Sequence, residues 1–187
     1  MDLATIVPDS SFFICFLDDI KQPQILVEIL EHRRFEFFTG SIIHSEIQKS
    51  QNFTDIEGVF DSHVGHLDYY NYGEILRPFF SVNEIRKGEH EVIVISYVLY
   101  SRGCSALAIL DDESPRKYFK NRFPELSDKV TGTIGFIERC ACSYGIFQAN
   151  KGTTILSLIA DSKFRVKRRI VDDAIKRVTR YKDVKAD

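Results

Sequence analysis

The sequence has no excess of basic residues: 25 Lys and Arg stand against 27 Asp and Glu, a formal net charge of −2. A chain so balanced casts no electrostatic net for nucleic acid, which argues against an architectural nucleic-acid binder. It leaves room for an enzyme that supplies positive charge locally through a metal ion. Cysteine is sparse and unpatterned. None of Cys15, Cys104, Cys140 and Cys142 falls in a CxxC, and no His pair stands nearby to complete a zinc site. Cys15, Cys140 and Cys142 lie in apolar runs, the setting of buried reduced thiols in a reducing cytosol. No apolar run is long enough to span a membrane, and MDLATIVPDSS has no basic stretch ahead of an apolar core. Neither a membrane span nor a signal peptide is expected, and a cytoplasmic location is. A Gly-rich phosphate loop is missing as well, because Gly132-Thr133-Ile134-Gly135 lacks the spacing of either nucleotide-binding fingerprint. There is no internal repeat and no low-complexity linker.

What is present suits an ordinary globular domain. The 187 residues are 44% hydrophobic and 28% charged, enough for one well-buried core and a squeeze for two. Apolar runs that read as strands alternate with amphipathic stretches that read as helices over the first 145 or so residues. Ala4–Val7 reads as a first buried strand, ended by Pro8 and Asp9, with a helix through Phe12, Phe13, Phe16 and Leu17. Pro23 opens a second helix, Phe35–Thr39 reads as a strand, and Gly40-Ser41 turns into a helix that buries Ile42, Ile43 and Ile47. Residues 51–74 are polar and aromatic with weak periodicity. Ile75–Val82 reads as a third strand, with Pro78 suiting an edge. A helix after Gly88 buries Val92, Ile95, Val98 and Leu99 and ends at Arg102-Gly103. Ser105–Leu110 reads as a strand, and Ser114 as the cap of a helix with Pro115 at its first position. Lys129-Val130 is a short strand before a helix through Ile134, Phe136, Ile137 and Cys140. Two amphipathic stretches, Thr153–Asp161 and Arg169–Arg180, form the tail. Such alternation predicts an α/β fold, a three-layer α/β/α sandwich around a parallel sheet, over residues 1–148, with a helical tail, 149–187, packed on it.

Acids recur where strands end and helices begin. Asp9 follows the first strand, Asp111 and Asp112 follow the strand Ser105–Leu110, and Glu89 and Glu91 open a helix. Glu46 lies near the edge of the apolar face of its helix. Ligands of open α/β sheets bind outside the carboxyl ends of the strands, so these acids can share one edge. Carboxylates brought close repel one another unless a cation joins them, and Mg²⁺ and Mn²⁺ favour such oxygen donors. The bland reading of each is sound too: acids in a first helical turn favour the dipole, and Asp9 suits an N-cap. His63, His66 and Asp68 match no familiar ligand spacing. A receiver would want an acidic pair after the first strand and an aspartyl phosphohydrolase a DxD; Asp9-Ser10-Ser11 supplies neither.

Five stretches in order resemble the PIN-domain superfamily, in particular small stand-alone PIN-like nucleases related to toxins of toxin–antitoxin pairs. Asp9-Ser10-Ser11 resembles the family's opening Asp-Ser-Ser, and Glu46 between Ile43 and Ile47 its second acidic site. Gly88-Glu89-His90-Glu91-Val92-Ile93 is similar to the Gly-Glu-x-Glu-x-Ile of one branch. Leu110-Asp111-Asp112 with Arg116 resembles that branch's Asp-Asp-x-x-Ala-Arg, with Pro115 in place of Ala, and Thr131-Gly132-Thr133-Ile134-Gly135 its Gly-Thr-x-Gly turn. The resemblance spans about residues 4–147, and the segment 51–74 has no counterpart in it. It implies a divalent-metal-dependent endoribonuclease using Mg²⁺ or Mn²⁺, with RNA as substrate, an antitoxin as partner and a homodimer as assembly. Carried over by position, Asp9, Glu46, Glu91 and one or both of Asp111 and Asp112 would hold the metal. Glu89 and Ser10 would stand behind them, and Thr131, Thr133, Arg116 and Lys117 would contact the substrate. The alternative from another class is a catalytically silent PIN-like binding or assembly module.

Overall fold

The computed structural model describes residues 3–67 and 87–186. Strand β1, Ala4–Pro8, is a short apolar run closed by a proline. Pro8 has no N–H to give, so the ladder passes to the next residue, and the Asp9 N–H donates to the Ile109 carbonyl at 3.0 Å. Helix α1, Ser10–Ile14, follows at once and runs on into a π-helical turn, Cys15–Asp19. Next come α2 (Pro23–Leu30), β2 (Phe35–Thr39), α3 (Ser41–Ile47), a 3₁₀ turn (Phe53–Asp55), α4 (Glu57–His63) and β3 (Val64–His66). The chain is described again from α5 (Lys87–Ser101) through β4 (Ala106–Ile109), α6 (Glu113–Arg122), a 3₁₀ turn (Pro124–Leu126) and β5 (Val130–Thr131). Helices α7 (Thr133–Cys142), α8 (Ala149–Ala160) and α9 (Arg168–Ala186) complete it.

The five strands form one all-parallel sheet in the order β3-β2-β1-β4-β5. Helices flank it, giving the three-layer α/β/α sandwich expected. β4 is buried at all four positions, as a strand covered on both faces must be. The order carries a consequence for function. From β1 the chain winds outward to β2 and β3, then crosses back to lay β4 on the other side of β1. β1 and β4 therefore flank the topological switch point, where the connecting segments diverge and leave a crevice at the carboxyl ends of the strands. Asp9 and Asp111 follow those two strands.

Phenylalanine builds the core around this edge. The Phe12 ring on α1 meets Phe13, Phe16 and Phe136 edge-on at centroid distances of 5.3, 5.4 and 5.5 Å. It also lies parallel to Phe37 of β2 at 6.3 Å. The first helix is thus locked to the sheet and to α7, which holds Asp9 at its head. In the tail, α8 and α9 lie against α7 and bury Ile155, Leu156, Ile159, Val171, Ala174 and Val178. Gly152 sits where these helices cross, and a β-carbon there would lie 2.8 Å from that of Ala141 and 3.5 Å from Val178 Cγ1. Alanine gains up to ~1 kcal/mol of helix propensity over glycine, but overpacking a core costs ~1–3 kcal/mol. Gly152→Ala is therefore expected to lower the urea midpoint, whereas the same change at Gly58, whose β-carbon would meet nothing within 4 Å, raises it or leaves it level.

Several expectations move. The edge strand β3 falls at Val64–His66, inside the stretch read as shapeless, and Ile75–Val82 and Asp68 lie outside the described residues. His63 sets its Nδ1 3.1 Å from the Val59 carbonyl, and the His66 ring lies 5.6 Å from that of His44. Helix α6 starts two residues early: Asp112, not Ser114, holds the N-cap position, and Pro115 is its third residue. Cys15 and Cys140 are buried thiols, Cys142 is half-buried and Cys104 is exposed. No described helix is long and apolar enough to cross a membrane.

Candidate active site at the ends of β1 and β4

Asp9 is both an N-cap and something more. Its Oδ1 accepts the Ser11 N–H at 2.6 Å, satisfying one of the amides that α1 leaves open. Neither Ser10 nor Ser11 is the cap. Only 5% of Asp9 is exposed, and burial raises its pKa to about 7. The charge of Asp111 adds to that rise, and the bonds from Ser11 and Phe12 oppose it without cancelling it. An N-cap aspartate on an isolated helix has the opposite tendency, because accepting backbone N–H bonds favours the charged form.

A cleft of about 430 Å³ opens in front of Asp9, bounded by Ser10, Ser11, Glu46, Lys49, Gly88 and Glu89, with Asp18 and Ser50 at its rim. Glu46 reaches it from the last turn of α3, and the Ser10 hydroxyl donates to Glu46 Oε2 at 2.6 Å. Oε2 of the same carboxylate lies against the α-carbon side of Gly88, where a β-carbon would come within 2.9 Å of it. Glu89, on the first turn of α5, is buried beside it and lines the cleft. Asp18 is held by Ser50 Oγ at 2.7 Å and by Asn52 Nδ2 at 3.2 Å. Asp18, Lys49 and Ser50 carried no signal in the sequence; the π-helical turn that ends at Asp19 sets Asp18 at the rim.

Glu91 does not line this cleft. It is fully buried, and its two oxygens accept the N–H groups of Ile42 at 3.1 Å and Ile43 at 2.8 Å. A carboxylate from α5 thus caps the N-terminus of α3, where the helix dipole favours negative charge. Gly40 is needed at the junction, because a β-carbon there would collide with the Glu91 carboxylate. Glu89 and Glu91 are two positions apart, so they diverge by about 200° around the helix. One faces the cleft and the other faces α3.

Across the switch point, Asp111 is held by Thr133. The Thr133 N–H donates to Asp111 Oδ1 at 2.8 Å and its hydroxyl to Oδ2 at 2.6 Å. Burial raises the Asp111 pKa, the two Thr133 bonds and the Arg116 charge pull it down, and the Asp112 charge adds to the rise. Both donors of Thr133 are therefore spent on Asp111 rather than turned to a substrate. Asp112 is exposed at the head of α6. Thr131, Arg116 and Lys117 line a second and larger cleft, which Asp111 also borders.

Among the described residues, no three His, Cys, Asp or Glu side chains converge closely enough to enclose an ion. The donor chemistry nevertheless fits a small hard cation, because Asp9, buried, and Asp111, half-buried, are carboxylates, and the charge of Asp111 reaches Asp9. Mg²⁺ keeps several waters and commonly takes one or two protein carboxylates, so its ligand set need not include a third acid. Compared with family models, curated proteins and solved structures, the chain finds no match.

Proposed function

We propose that the chain is a divalent-metal-dependent endoribonuclease of the PIN-like kind, with Mg²⁺ or Mn²⁺ as cofactor. The observation that carries this reading is the placement of a buried carboxylate, Asp9, and a half-buried one, Asp111, at the switch point, where the charge of Asp111 raises the pKa of Asp9. Two such groups cost stability as anions unless a cation sits between them. RNA enters through the sequence resemblance.

In this reading Asp9 and Asp111 hold the ion from the two strands, and Glu46 and Glu89 face it from α3 and α5. Bound there, Mg²⁺ or Mn²⁺ would polarise the phosphodiester and offset charge on the leaving oxygen. Ser10 fixes the Glu46 carboxylate and Thr133 fixes that of Asp111. Arg116, whose charge reaches Asp111, is placed to meet a phosphate oxygen. Glu91 keeps α3 in register with the site and is assigned no contact with the ion, the reverse of the roles that the resemblance implied for Glu89 and Glu91.

Glu89→Gln is expected to lower Mn²⁺-stimulated cleavage of a labelled RNA by about a hundredfold, a metal-site-sized loss. Undiminished cleavage by purified Glu89→Gln and Asp111→Asn would sink the reading. The silent-module alternative draws on the lack of a three-acid enclosure among the described residues. Calorimetry showing no Mn²⁺ uptake at millimolar concentration would favour it.

A further inference from the structure

The second cleft, of about 540 Å³, lies between α6, the head of α7 and the segment that leads into α9. Six cations line it: Arg116, Lys117 and Lys120 from α6, Arg165 and Lys167 from the segment before α9, and Arg177 from α9 itself. Three acids, Asp111, Asp112 and Glu113, share the lining, so the cleft is net basic on a chain whose overall charge is −2. Lys117 pairs with Glu113 at 2.8 Å, and Arg177 makes a two-pronged pair with Glu138 at 2.6 and 2.8 Å. The second of these pins α9 to α7 and fixes one wall. Among the described residues, Arg116, Lys120, Arg165 and Lys167 stand within ion-pair distance of no carboxylate. Basic charge in an otherwise acidic chain is thus gathered in one concavity, by elements that are far apart in sequence.

Asp111 borders this cleft and also acts on Asp9 in the first one. An extended polyanion with one phosphate at Asp9 and Asp111 would therefore carry its neighbouring phosphates onto the cations of α6 and the tail. Guanidinium forks match phosphate oxygens two at a time. Val130, Ile134, Val166 and Ile170 supply apolar lining between the charges, which suits a chain of alternating phosphates and flat bases better than a run of carboxylates. We propose that this cleft is a binding site for the phosphodiester backbone of a single-stranded nucleic acid, and that residues 165–177 of the tail form one wall of it. The proposal rests on the nuclease reading for the direction in which the strand leaves the cleft, but not for the binding itself.

The test uses the full chain in EDTA, so that binding is read without cleavage, by fluorescence anisotropy of a short labelled unstructured RNA. The wild type is expected to bind with a steep salt dependence. The triple variant Lys120→Gln, Arg165→Gln, Lys167→Gln changes only exposed side chains and is expected to keep its melting temperature. It should bind more than about tenfold more weakly, with a slope of log K against log salt reduced by about 2, since each single-strand phosphate contact contributes ~0.7. Equal affinity of variant and wild type overturns the proposal. So does competition by polyglutamate as effective as that by unlabelled RNA, or displacement by inorganic phosphate at the same phosphate concentration. If wild type binds through the cleft and no metal elicits cleavage, the nuclease reading falls and the cleft stands. If the triple variant binds and cleaves as the wild type does, the cleft falls alone.

Discussion

Asp9→Asn is expected to abolish metal-dependent cleavage and, without metal, to make the protein more stable at pH 8 than the wild type. The stabilisation follows from the direction of the Asp9 pKa, raised from 3.8 to about 7 by burial and then by the Asp111 charge. A carboxyl whose pKa is higher folded than unfolded binds more protons in the native state between the two values. Native stability therefore falls as pH rises from about 4 to about 7, and above that the whole cost of the buried anion is present. A rise of about three units corresponds to ~4 kcal/mol at most, and relaxation around the site brings the expected gain to ~2–3 kcal/mol. Asparagine keeps the oxygen that accepts the Ser11 N–H, so the cap of α1 survives. For a chain of this size that gain is a rise of roughly 5–10 °C in melting temperature at pH 8, shrinking toward nothing at pH 4. Mn²⁺ at about a hundred times its dissociation constant adds ~2.7 kcal/mol to a protein that binds it only when folded. The wild type should show that gain and Asp9→Asn should not. A variant that melts below the wild type at pH 8, or that responds equally to Mn²⁺, contradicts the assignment.

Glu91→Gln is expected to do its harm elsewhere. Gln has one acceptor where Glu91 has two, so either the Ile42 or the Ile43 N–H at the head of α3 loses its partner. The buried −NH₂ then faces a donor, and the negative charge at the helix N-terminus is gone as well. Losing a charge-assisted bond and leaving a buried amide unsatisfied costs ~2–4 kcal/mol, or about 5–12 °C in melting temperature for a chain of this length. The loss should be the same with and without Mn²⁺, and the metal should still raise the variant's melting temperature. Glu89→Gln should instead lose its melting-temperature response to metal. If Glu91→Gln melts normally but ignores Mn²⁺, the two glutamates have been assigned the wrong way round.

That pair marks how far the sequence can be read. The strands β1, β2 and β4 were legible because each is a compact apolar run stopped by Pro8, Gly40 or Asp111, and the parallel alternation followed from them. Asp9 and Asp111 were legible as strand-end acids for the same reason. Glu91 was not, because its role is set by α3, 48 residues away in the chain, and the two acids of Gly88-Glu89-His90-Glu91 look alike until the helix is turned against its neighbour. Thr133 was read as a phosphate donor because a helix start offers free N–H groups, but the carboxylate of Asp111 accepts its N–H and its hydroxyl. β3 escaped because three residues at a sheet edge, Val64 to His66, are too few to show a period of two. The basic clusters at Arg116, Lys117, Lys120 and Arg122 and at Lys167 to Arg169 are visible in the sequence and read most simply as exposed helix faces. Their meeting in one cleft had no local signal, since Arg116 and Lys167 are far apart in the chain.

The same separation bears on how the proposed site is assembled. Asp9 and Asp111 meet only through the register of β1 on β4, in which Pro8 lies opposite Ile109 and the Asp9 N–H closes onto the Ile109 carbonyl. The intervening chain of about a hundred residues has to be looped out before that ladder can form, and such long-range pairings come late and slowly. Thr133, which fixes Asp111, comes later still in the chain. During synthesis Asp9, Glu46 and Glu89 therefore emerge before Asp111 and Thr133, the groups across the crevice. On the nuclease reading, a chain stopped before α7, which lacks Thr133 to fix Asp111, is expected to be inert.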